Sequence, residues 1–600
     1  MRCVFLLIRY RTKSDQKISF KSLALLLICL SLTFFYPSLA AAAKKKPPSL
    51  LLQLEPEIAQ VRDNIEAYLG EIEDRNTNEM RRYARFARGQ IIQALEALGY
   101  YRYQLHLEVK AGDPAQLSVN IVLGEPVHLQ VISLELTGPA QEQNDFTLPT
   151  NKKLRSGQPL SHAAYEAAKQ HFSEQAISYG YFAANFTQKT LKIDPQAGTA
   201  DIYLHFESGP RYRFGEVTFD QQGELDEALL RRFIRFKKGE LFSADKLSEL
   251  SRELRASGYF NEVLVDIREQ QANDQLEIPV EVLVRMRKPH SLELGAGFST
   301  DIGPRVSGNW EQHWLNSHGH SRGVDSELSM PRQAVSAWYQ LPLTPPMTDK
   351  LRFTTSIEDE HFDDQQSQRF SLGVQWHHRQ ANDWDRILSL KGRQEKFQVG
   401  EDEDATWLTL PGISYGRLKS DQRVDPSQGY RLHLDVNASH RDLFADINLL
   451  QVTALARGLY TFYDQHRLLA RLQLGALSSD DFSRTPVSMR FFAGGDQTVR
   501  GYAYQELAPK SESGRQQGGR YLIAASTEYQ YSLTPTWRLA TFVDAGDATL
   551  KRYDLNALKL GVGVGVRWIS PVGPLRLDFA KGLDEQLGGW QLHFSMGPEL

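Results

Sequence analysis

From about residue 289 to the end of the chain, apolar and polar residues alternate with a period of two. The alternation is clear at 370–376 and 432–438, and at 558–568 the even positions are apolar while the odd ones are Gly, Lys or Arg. A final stretch, 590–596, places aromatic and aliphatic side chains on one face. Successive side chains of a strand point to opposite faces, so the pattern predicts antiparallel strands with one apolar and one polar face.

Two all-β folds fit this alternation: a soluble antiparallel sandwich and a transmembrane β-barrel. Charged residues such as Asp435 and Arg576 occupy the second face deep within predicted strands, as a wet lumen permits. At roughly twenty residues per strand and connection, the 312 residues from 289 to 600 hold about sixteen strands. The pattern therefore favours a 16-stranded antiparallel barrel over 289–600.

Residues 44–288 contain an internal repeat of helix-like and strand-like stretches. Gly-Tyr-aromatic triplets begin at Gly99, Gly180 and Gly258, 81 and 78 residues apart, and each ends a helical pattern and opens a strand. SGQPLS at 156–161 likewise aligns with KGELFS at 238–243. Each unit reads strand, helix, helix, strand, strand, with boundaries at 44–126 (including a basic linker), 127–209 and 210–288. The segment resembles three α+β POTRA (polypeptide-transport-associated) domains, whose exposed sheet edges can accept an added strand.

Residues 1–43 have the order of a secretory signal peptide: basic residues, an apolar run at Leu23–Phe35, then small residues at Ser38–Ala43. A membrane-anchoring helix is the alternative, although the run is short for a span. Cys3 and Cys29 are the two cysteines, so the chain after this segment has no thiol for disulfides or catalysis. The formal net charge is −4 for the full chain and +5 for residues 1–43, so the rest of the chain carries −9. This negative net charge argues against a nucleic-acid partner.

The stretch Arg490–Tyr502, RFFAGGDQTVRGY, combines three glycines with two charged residues between aromatic ends. Glycines permit tight turns, and an arginine presents a rigid fork of donors to a carboxylate. It is either a solvated hairpin loop or a loop docked in the barrel. Along 537–544 the apolar Trp537, Leu539 and Val543 share odd positions, so Asp544 belongs to the polar, lumenal face. Asp544 also begins a predicted turn, and it is a candidate partner of Arg500. Alternatively, Asp544 only caps its own turn.

Several stretches resemble the TamA family, the outer-membrane subunit of the translocation and assembly module, which shares a superfamily with the insertase BamA. They are RFFAGGDQTVRGY, 542–548 (FVDAGDA), 561–580 (GVGVGVRWISPVGPLRLDFA), 597–600 (GPEL), 97–101 (ALGYY), 211–219 (RYRFGEVTF) and 298–306 (FSTDIGPRV). The resemblance implies that Val499–Tyr502 lies on the sixth extracellular loop and folds into the lumen. It also implies a loop latch in which Arg500, Gly501 and Tyr502 are held against Asp544.

The same resemblance implies a non-enzymatic function without cofactor or metal. Family members promote insertion of autotransporters and other β-barrel proteins into the outer membrane, with POTRA domains in the periplasm and a TamB-like periplasm-spanning partner. Nascent outer-membrane proteins and outer-membrane lipid are the further partners. A lateral seam is implied between a first strand at 291–299, with Gly295 and Gly297, and a last strand at 589–597, with Gly589 and Trp590. Glycines weaken strand packing, so we expect the seam to be labile.

Other functions are less consistent with the sequence. A two-partner-secretion transporter typically has two POTRA domains and a plug helix, and a passive channel needs no such domains. HExxH, GxSxG and phosphate-loop motifs are absent. The pairs His318/His320 and His377/His378 are interpreted as incidental rather than metal ligands, and the acidic run Glu401–Asp404 as a solvated loop.

Overall fold

The computed structural model describes residues 49–112, 114–221, 223–362, 364–551, 558–571 and 573–597. The predicted signal peptide and the linker up to Pro48 lie outside these residues. The chain divides into two compact units, one with residues up to Glu135, Leu148–His171 and Phe186–His205, the other with Leu136–Thr147, Phe172–Asn185 and everything from Phe206 onwards. Among the described residues, no helix combines the length and apolar character needed to cross a membrane.

The first module has the predicted order of elements. It contains β1 (Leu50–Glu55), α1 (Ala59–Leu69), α2 (Thr77–Ala97), β2 (Tyr103–Lys110) and β3 (Gln116–Leu123). The sheet order is β1-β3-β2, with β1 parallel and β2 antiparallel to the central β3. Helix α2 begins at a capping box formed by Asn76 and Glu79, which satisfies two otherwise unpaired backbone donors. Ile65, Ile91 and Val119 pack between the helices and the sheet and are fully buried.

The second module departs from the pattern at its first helix. It contains β4 (His128–Thr137), a 3-10 turn (Pro139–Glu142), α3 (His162–Tyr179), β5 (Asn185–Asp194) and β6 (Thr199–Glu207), with sheet order β4-β6-β5. Gly138 has a φ of 86°, and Pro139 follows it at the start of the turn. The turn-forming residues that come next, up to Asn151, do not continue a helix.

The third module lies in the same unit as the barrel. It contains β7 (Arg213–Asp220), the five-residue helix α4 (Glu227–Arg231), α5 (Ala244–Ala256), β8 (Phe260–Ile267) and β9 (Glu277–Met286), with sheet order β7-β9-β8. The Tyr259 hydroxyl donates to the Gly319 carbonyl at 2.7 Å, and Arg232 donates to the Pro342 carbonyl at 3.0 Å. The barrel connections at 313–320 and 343–348 therefore mark the end of the barrel that faces this module.

The remaining strands form a single sheet of sixteen antiparallel strands, each paired with its neighbour in sequence, which confirms the predicted architecture. They are β10 (His290–Ser299), β11 (Gly303–Gln312), β12 (Ser321–Ser329), β13 (Arg332–Pro342), β14 (Asp349–Phe362), β15 (Gln365–Arg379), β16 (Asp385–Val399), β17 (Asp402–Ser420), β18 (Gln428–Ser439), β19 (Leu449–Phe462), β20 (His466–Ser479), β21 (Tyr521–Ser532), β22 (Trp537–Thr549), β23 (Lys559–Ser570), β24 (Gly573–Gly582) and β25 (Trp590–Met596). The sheet curls into a nearly closed barrel in which β10 and β25 are the edges.

Strand β22 shows how the two faces are divided. Trp537, Leu539 and Val543 are exposed on the outside, whereas Arg538 and Asp544 are buried on the inside, so the predicted parity is confirmed. The turn predicted to start at Asp544 is wrong, because β22 continues to Thr549. The polar and small residues of this stretch suggested a turn, but Asp544 and Gly546 face the lumen, where Arg500 and Val499 of a loop pack against them.

Candidate functional site: a loop seated in the barrel lumen

The connection between β20 and β21 folds back into the barrel. Isolated backbone bridges join Phe491 to Gly519 and Ala493 to Leu507, which holds the stretch Arg490–Tyr502 in a defined path. Gly494, Gly495 and Gly501 have φ values of 104°, 96° and 92°, so these turns require residues without a side chain. The loop is thus docked, and of the two interpretations of the motif the solvated hairpin is wrong.

Arg500 inserts into a cluster of carboxylates on the lumenal wall. Its Nε donates to Asp544 Oδ2 at 2.8 Å and its Nη2 to Asp544 Oδ1 at 2.9 Å, while its backbone N–H donates to Oδ2 at 3.0 Å. Its Nη1 donates to Glu528 at 2.7 Å and to Asp578 at 3.2 Å. The guanidinium also lies over the Phe542 ring, 3.3 Å from its centroid. Burial disfavours the charged guanidinium, but the hydrogen bonds and charge of Asp544 outweigh burial and raise the Arg500 pKa.

A second arginine, Arg567, pairs with two of these three carboxylates. Arg567 Nη2 lies 2.7 Å from Glu528 Oε1, and its Nη1 lies 2.7 Å from Asp578 Oδ1. Three carboxylates and two guanidiniums thus share one buried site, and two of the carboxylates bridge the arginines. Charges removed from water to this extent are stable only when all of them are paired, so the cluster depends on the presence of Arg500.

Three glycines of β23 make room for the loop. A Cβ atom on Gly561 would overlap the Arg500 carbonyl oxygen, one on Gly563 would overlap the Phe542 ring, and one on Gly565 would overlap the Asp578 carboxylate. These positions all face the lumen. The glycine stripe therefore lets the backbone of the loop approach the wall closely.

The two residues after Arg500 attach the loop to the C-terminal strands. The Gly501 N–H donates to His593 Nε2 on β25 at 3.0 Å. The Tyr502 hydroxyl donates to the Leu560 carbonyl at 3.0 Å and accepts from the Asp584 N–H at 3.2 Å. The structure therefore brings all four residues of the predicted latch to one site.

The tip of the loop also contacts the turn that follows β10. The Asp496 N–H donates to Asp301 Oδ2 at 2.8 Å. Asp301 Oδ1 lies 3.8 Å from His593 Nδ1. A neutral histidine that accepts at Nε2 carries its proton on Nδ1, the side that faces Asp301. The chain Asp496–Asp301–His593–Gly501 therefore links the loop to the β10–β11 turn and to β25, that is, to both edges of the sheet.

The two edges are joined by hydrogen bonds at Thr300 and Phe594. The Thr300 N–H donates to the Phe594 carbonyl at 3.0 Å, and the Phe594 N–H donates to Thr300 Oγ1 at 3.2 Å. The Phe298 and Phe594 rings lie 5.7 Å apart. Among the described residues, β10 and β25 form no strand ladder, whereas every other adjacent pair of barrel strands does.

The four predicted seam residues do not touch one another across this gap. Side chains at Gly295 and Gly297 would meet Ser307 and Arg305 of β11 instead. Gly589 has open space around it, and Trp590 stacks on Phe579 of β24 at 4.5 Å. They line the two edges, while the contact across the seam is made by Thr300 and Phe594.

Known proteins similar to this chain have the same combination of parts. A model described as an Omp85 superfamily domain matches residues 320–599, one described as POTRA domain TamA domain 1 matches 52–123, and a POTRA model described as surface antigen variable number repeat matches 212–287. Residues 320–599 thus form an Omp85 superfamily domain, and POTRA domains precede it at 52–123 and 212–287.

Individual relatives share the family at low identity. Outer membrane protein assembly factor BamA of Nitratidesulfovibrio vulgaris is 24% identical over 71% of this chain, and that of Neisseria meningitidis serogroup B is 21% identical over 81%. The chain spans only 56% of the first relative and 69% of the second. The crystal structure of BamA from Haemophilus ducreyi lacking POTRA domains 1–3 aligns with a TM-score of 0.67 and 16% identity, over 78% of this chain and 99% of that one. The Omp85 barrel of this chain lies in the outer membrane, with the POTRA domains in the periplasm.

Sequence reasoning missed most of the partners of the loop in this Omp85 barrel. Glu528, Arg567 and Asp578 look like ordinary lumenal residues, because inward polar positions occur on every strand. Three consecutive inward glycines on β23 were a usable signal, since they predict close approach of another backbone.

The acidic run Glu401–Asp404, predicted as a solvated loop, instead includes the first residues of β17. Asp402 pairs with Arg490 of the loop at 2.8 Å, and Asp404 pairs with Arg484 at 2.7 Å.

The histidine pairs have local hydrogen-bond partners in the structure. His320 contacts the Tyr339 hydroxyl at 2.6 Å, and His377 contacts Gln375 at 3.0 Å. In the part of the chain that the structure describes, no group of three or more His, Cys, Asp or Glu side chains is placed to hold a metal ion.

The Asp496–Asp301 contact predicts a pH dependence. Burial, followed by the charge of Asp301, raises the Asp496 pKa from 3.8 to about 6, whereas His593 and Asp496 hold the Asp301 pKa low against burial. A raised folded-state pKa favours the protonated form, so the contribution of Asp496 to loop seating is lost as pH rises through about 6. We expect hydrogen exchange of the loop amides to show weaker protection at pH 7.5 than at pH 5.5. Asp496→Asn, which keeps an uncharged side chain, should remove this difference, and an unchanged difference in that variant would contradict the assignment.

Proposed function

We propose that this chain is an outer-membrane assembly factor that promotes insertion of β-barrel proteins. The observation that carries this proposal is the seam: two hydrogen bonds at Thr300 and Phe594 hold edges that elsewhere would be sealed by a full ladder. A barrel with such a seam has two strands whose backbone groups are available to another chain.

The physical advantage of such an edge is large in a bilayer. Each unpaired backbone group of a nascent strand costs several kcal/mol in the hydrocarbon region. Pairing with the free edge of β10 or β25 satisfies those groups while the client strand enters the membrane. The reaction makes and breaks hydrogen bonds between strands, so it needs no cofactor and no covalent step.

In this proposal the loop controls the state of the seam. Arg500 holds the loop on β21–β24, and His593 and Asp301 connect it to β25 and to the turn after β10. While the loop is seated, it connects both edge strands of the sheet, β10 and β25, to strands β21–β24. Loop release would remove this tie and leave the contacts of Thr300 and Phe298 with Phe594 to resist opening.

We further propose that the protein is of the TamA type, with autotransporters among its clients and a TamB-like inner-membrane protein as partner of its POTRA domains. The match of the first module to a POTRA model described as TamA domain 1 supports this narrower assignment. The three small POTRA sheets supply edge strands that could receive a partner strand.

Depletion of the protein from cells tests the function. We expect barrel proteins, autotransporters above all, to decrease in the outer-membrane proteome, and re-expression of the intact chain to restore them. Conductance of the purified protein in planar bilayers is the control for a channel. Unchanged levels of all barrel proteins, together with stable porin-like conductance, would contradict the proposal.

A further inference from the structure

The outer surface of the barrel carries an apolar groove of about 580 Å³ on β17–β20. Its floor is formed by Ala454 and Ala456 of β19. Cross-strand register places Ala454 between Leu434 and Leu474, and Ala456 between Leu432 and Leu472. The short alanine side chains between two rows of leucines leave a trough on the face that meets lipid.

The position of the groove relative to the membrane follows from its connections. Gln380, Asn382 and Trp384 close one end of the groove, and they belong to the turn after β15. The Arg379 N–H donates to the Thr348 carbonyl at 2.8 Å, so this turn lies beside the 343–348 connection, at the end of the barrel that faces the third POTRA domain. The groove therefore begins at the periplasmic interface, where Trp384 and Tyr415 provide the aromatic side chains typical of that depth.

Two arginines border the groove at this end. Register places Arg386 directly opposite Tyr415 and Arg417 directly opposite Leu432. Arg386 lies over the Trp376 ring at 5.3 Å, and Arg417 lies over the Tyr430 ring at 5.8 Å. Both distances are within the range of cation–π attraction, which holds each guanidinium near an aromatic ring without using its N–H donors.

Neither arginine has a protein anion as partner. Among the described residues, Arg386 and Arg417 form no ion pair, and the Nε atom of each is buried without a hydrogen-bond acceptor. Asp349, which lies in the same cross-strand row as Arg386, is already held by His378 at 2.8 Å and Trp376 at 3.3 Å. Outward cations at the depth of the interface attract the anionic head groups of lipids.

We propose that this groove is a binding site for one anionic phospholipid of the periplasmic leaflet. One acyl chain lies between the leucine rows over Ala454 and Ala456, and the phosphate accepts hydrogen bonds from Arg386 and Arg417. The apolar trough and the two free cations are adjacent and lie at the depth where a phospholipid presents a chain and a phosphate together. This site is independent of the seam and of the proposed assembly function.

Native mass spectrometry of the full chain, delipidated in detergent and titrated with dioleoylphosphatidylglycerol, tests the site. We expect the wild type to retain one lipid, and the double variant Arg386→Gln/Arg417→Gln to bind it about thirtyfold more weakly, because the two interfacial arginines together contribute about 2 kcal/mol. Arg322→Gln is the matched control, since Arg322 stacks on Trp310 at 5.8 Å on another part of the outer wall. Equal retention by the wild type and the double variant, or an equal loss in the control, would overturn the proposal.

A second variant tests the chain-binding part. Ala456→Phe fills the trough from the lipid side and leaves both arginines in place, so it should also lose the lipid. Heat-modifiable migration on a gel verifies that each variant barrel is folded. A folded Ala456→Phe protein that still binds one lipid as tightly as the wild type would rule out the groove as the acyl site.

Discussion

A disulfide between Thr300→Cys and Phe594→Cys is expected to abolish insertion of client barrels by the oxidised protein. These two residues make the hydrogen bonds that join β10 to β25, so a covalent bond there prevents the edges from parting. Cys3 and Cys29, both in the predicted signal peptide, are the cysteines of the chain, so the engineered pair has no competing thiol in the barrel. Reduction should restore activity to the same preparation.

Insertion of a radiolabelled autotransporter barrel into proteoliposomes, with and without reductant, measures the effect. Val306→Cys/Leu328→Cys is the control, because these residues are paired in the continuous β11–β12 ladder on the same side of the barrel. The control disulfide should leave activity unchanged. Full activity of the oxidised Thr300–Phe594 protein would show that insertion does not require this seam to open.

Arg500→Ala is expected to release the loop and to remove most of the insertion activity. The substitution removes the ion-pair partner of Asp544 and one of the two arginines that pair with Glu528 and Asp578, and breaking a buried pair in this way costs about 3–5 kcal/mol. Protease cleavage within 490–502 of the folded protein reports loop release, and the insertion assay reports function. If the loop of the variant is accessible to protease but client insertion is normal, insertion does not require the seated loop.

Two further variants distinguish the loop seat from the charge itself. Arg500→Lys keeps the positive charge but loses the two parallel N–H donors that span both Asp544 oxygens, so partial activity is expected.

Gly561→Ala should release the loop with all charges intact, because the new Cβ would overlap the Arg500 carbonyl oxygen. Gly458→Ala on β19 is the control, because a Cβ at that position has open space around it. A charge swap between Arg500 and Asp544 is not expected to restore the wild type, since Glu528, Asp578 and Arg567 would remain around the reversed pair.

The sequence was sufficient for the barrel and for one contact of the latch. Alternation with a period of two assigns each side chain to a face, so Arg538 and Asp544 could be placed in the lumen from parity alone. The repeated Gly-Tyr triplets likewise predicted the modules. Each triplet ends a helix and precedes a strand, and this junction favours glycine followed by aromatic residues. Both signals are local, and local signals can be found in one sequence.

The rest of the site depends on register between distant strands. Glu528 and Asp578 lie 28 and 78 residues from Arg500, and nothing in their own neighbourhoods separates them from other inward carboxylates. Asp301 and His593 meet because the barrel nearly closes, a relation between its first turn and its last strand. The turn predicted at Asp544 was wrong for the same reason. Asp544 and Gly546 are typical of turns, but here they lie in a strand whose inner face packs against the loop, a contact that the local sequence does not reveal.

The positions of the groups around Arg500 and Gly501 impose an order on the protein's own folding. Glu528, Asp544, Arg567, Asp578 and His593 come from five consecutive strands that all follow the loop in the chain. The loop emerges from the translocation machinery before any of them, and it reaches its final position only after the last strand, with His593, has joined the sheet. Seating of the loop therefore marks a completed barrel, and a chain that stops before β25 lacks the acceptor for Gly501.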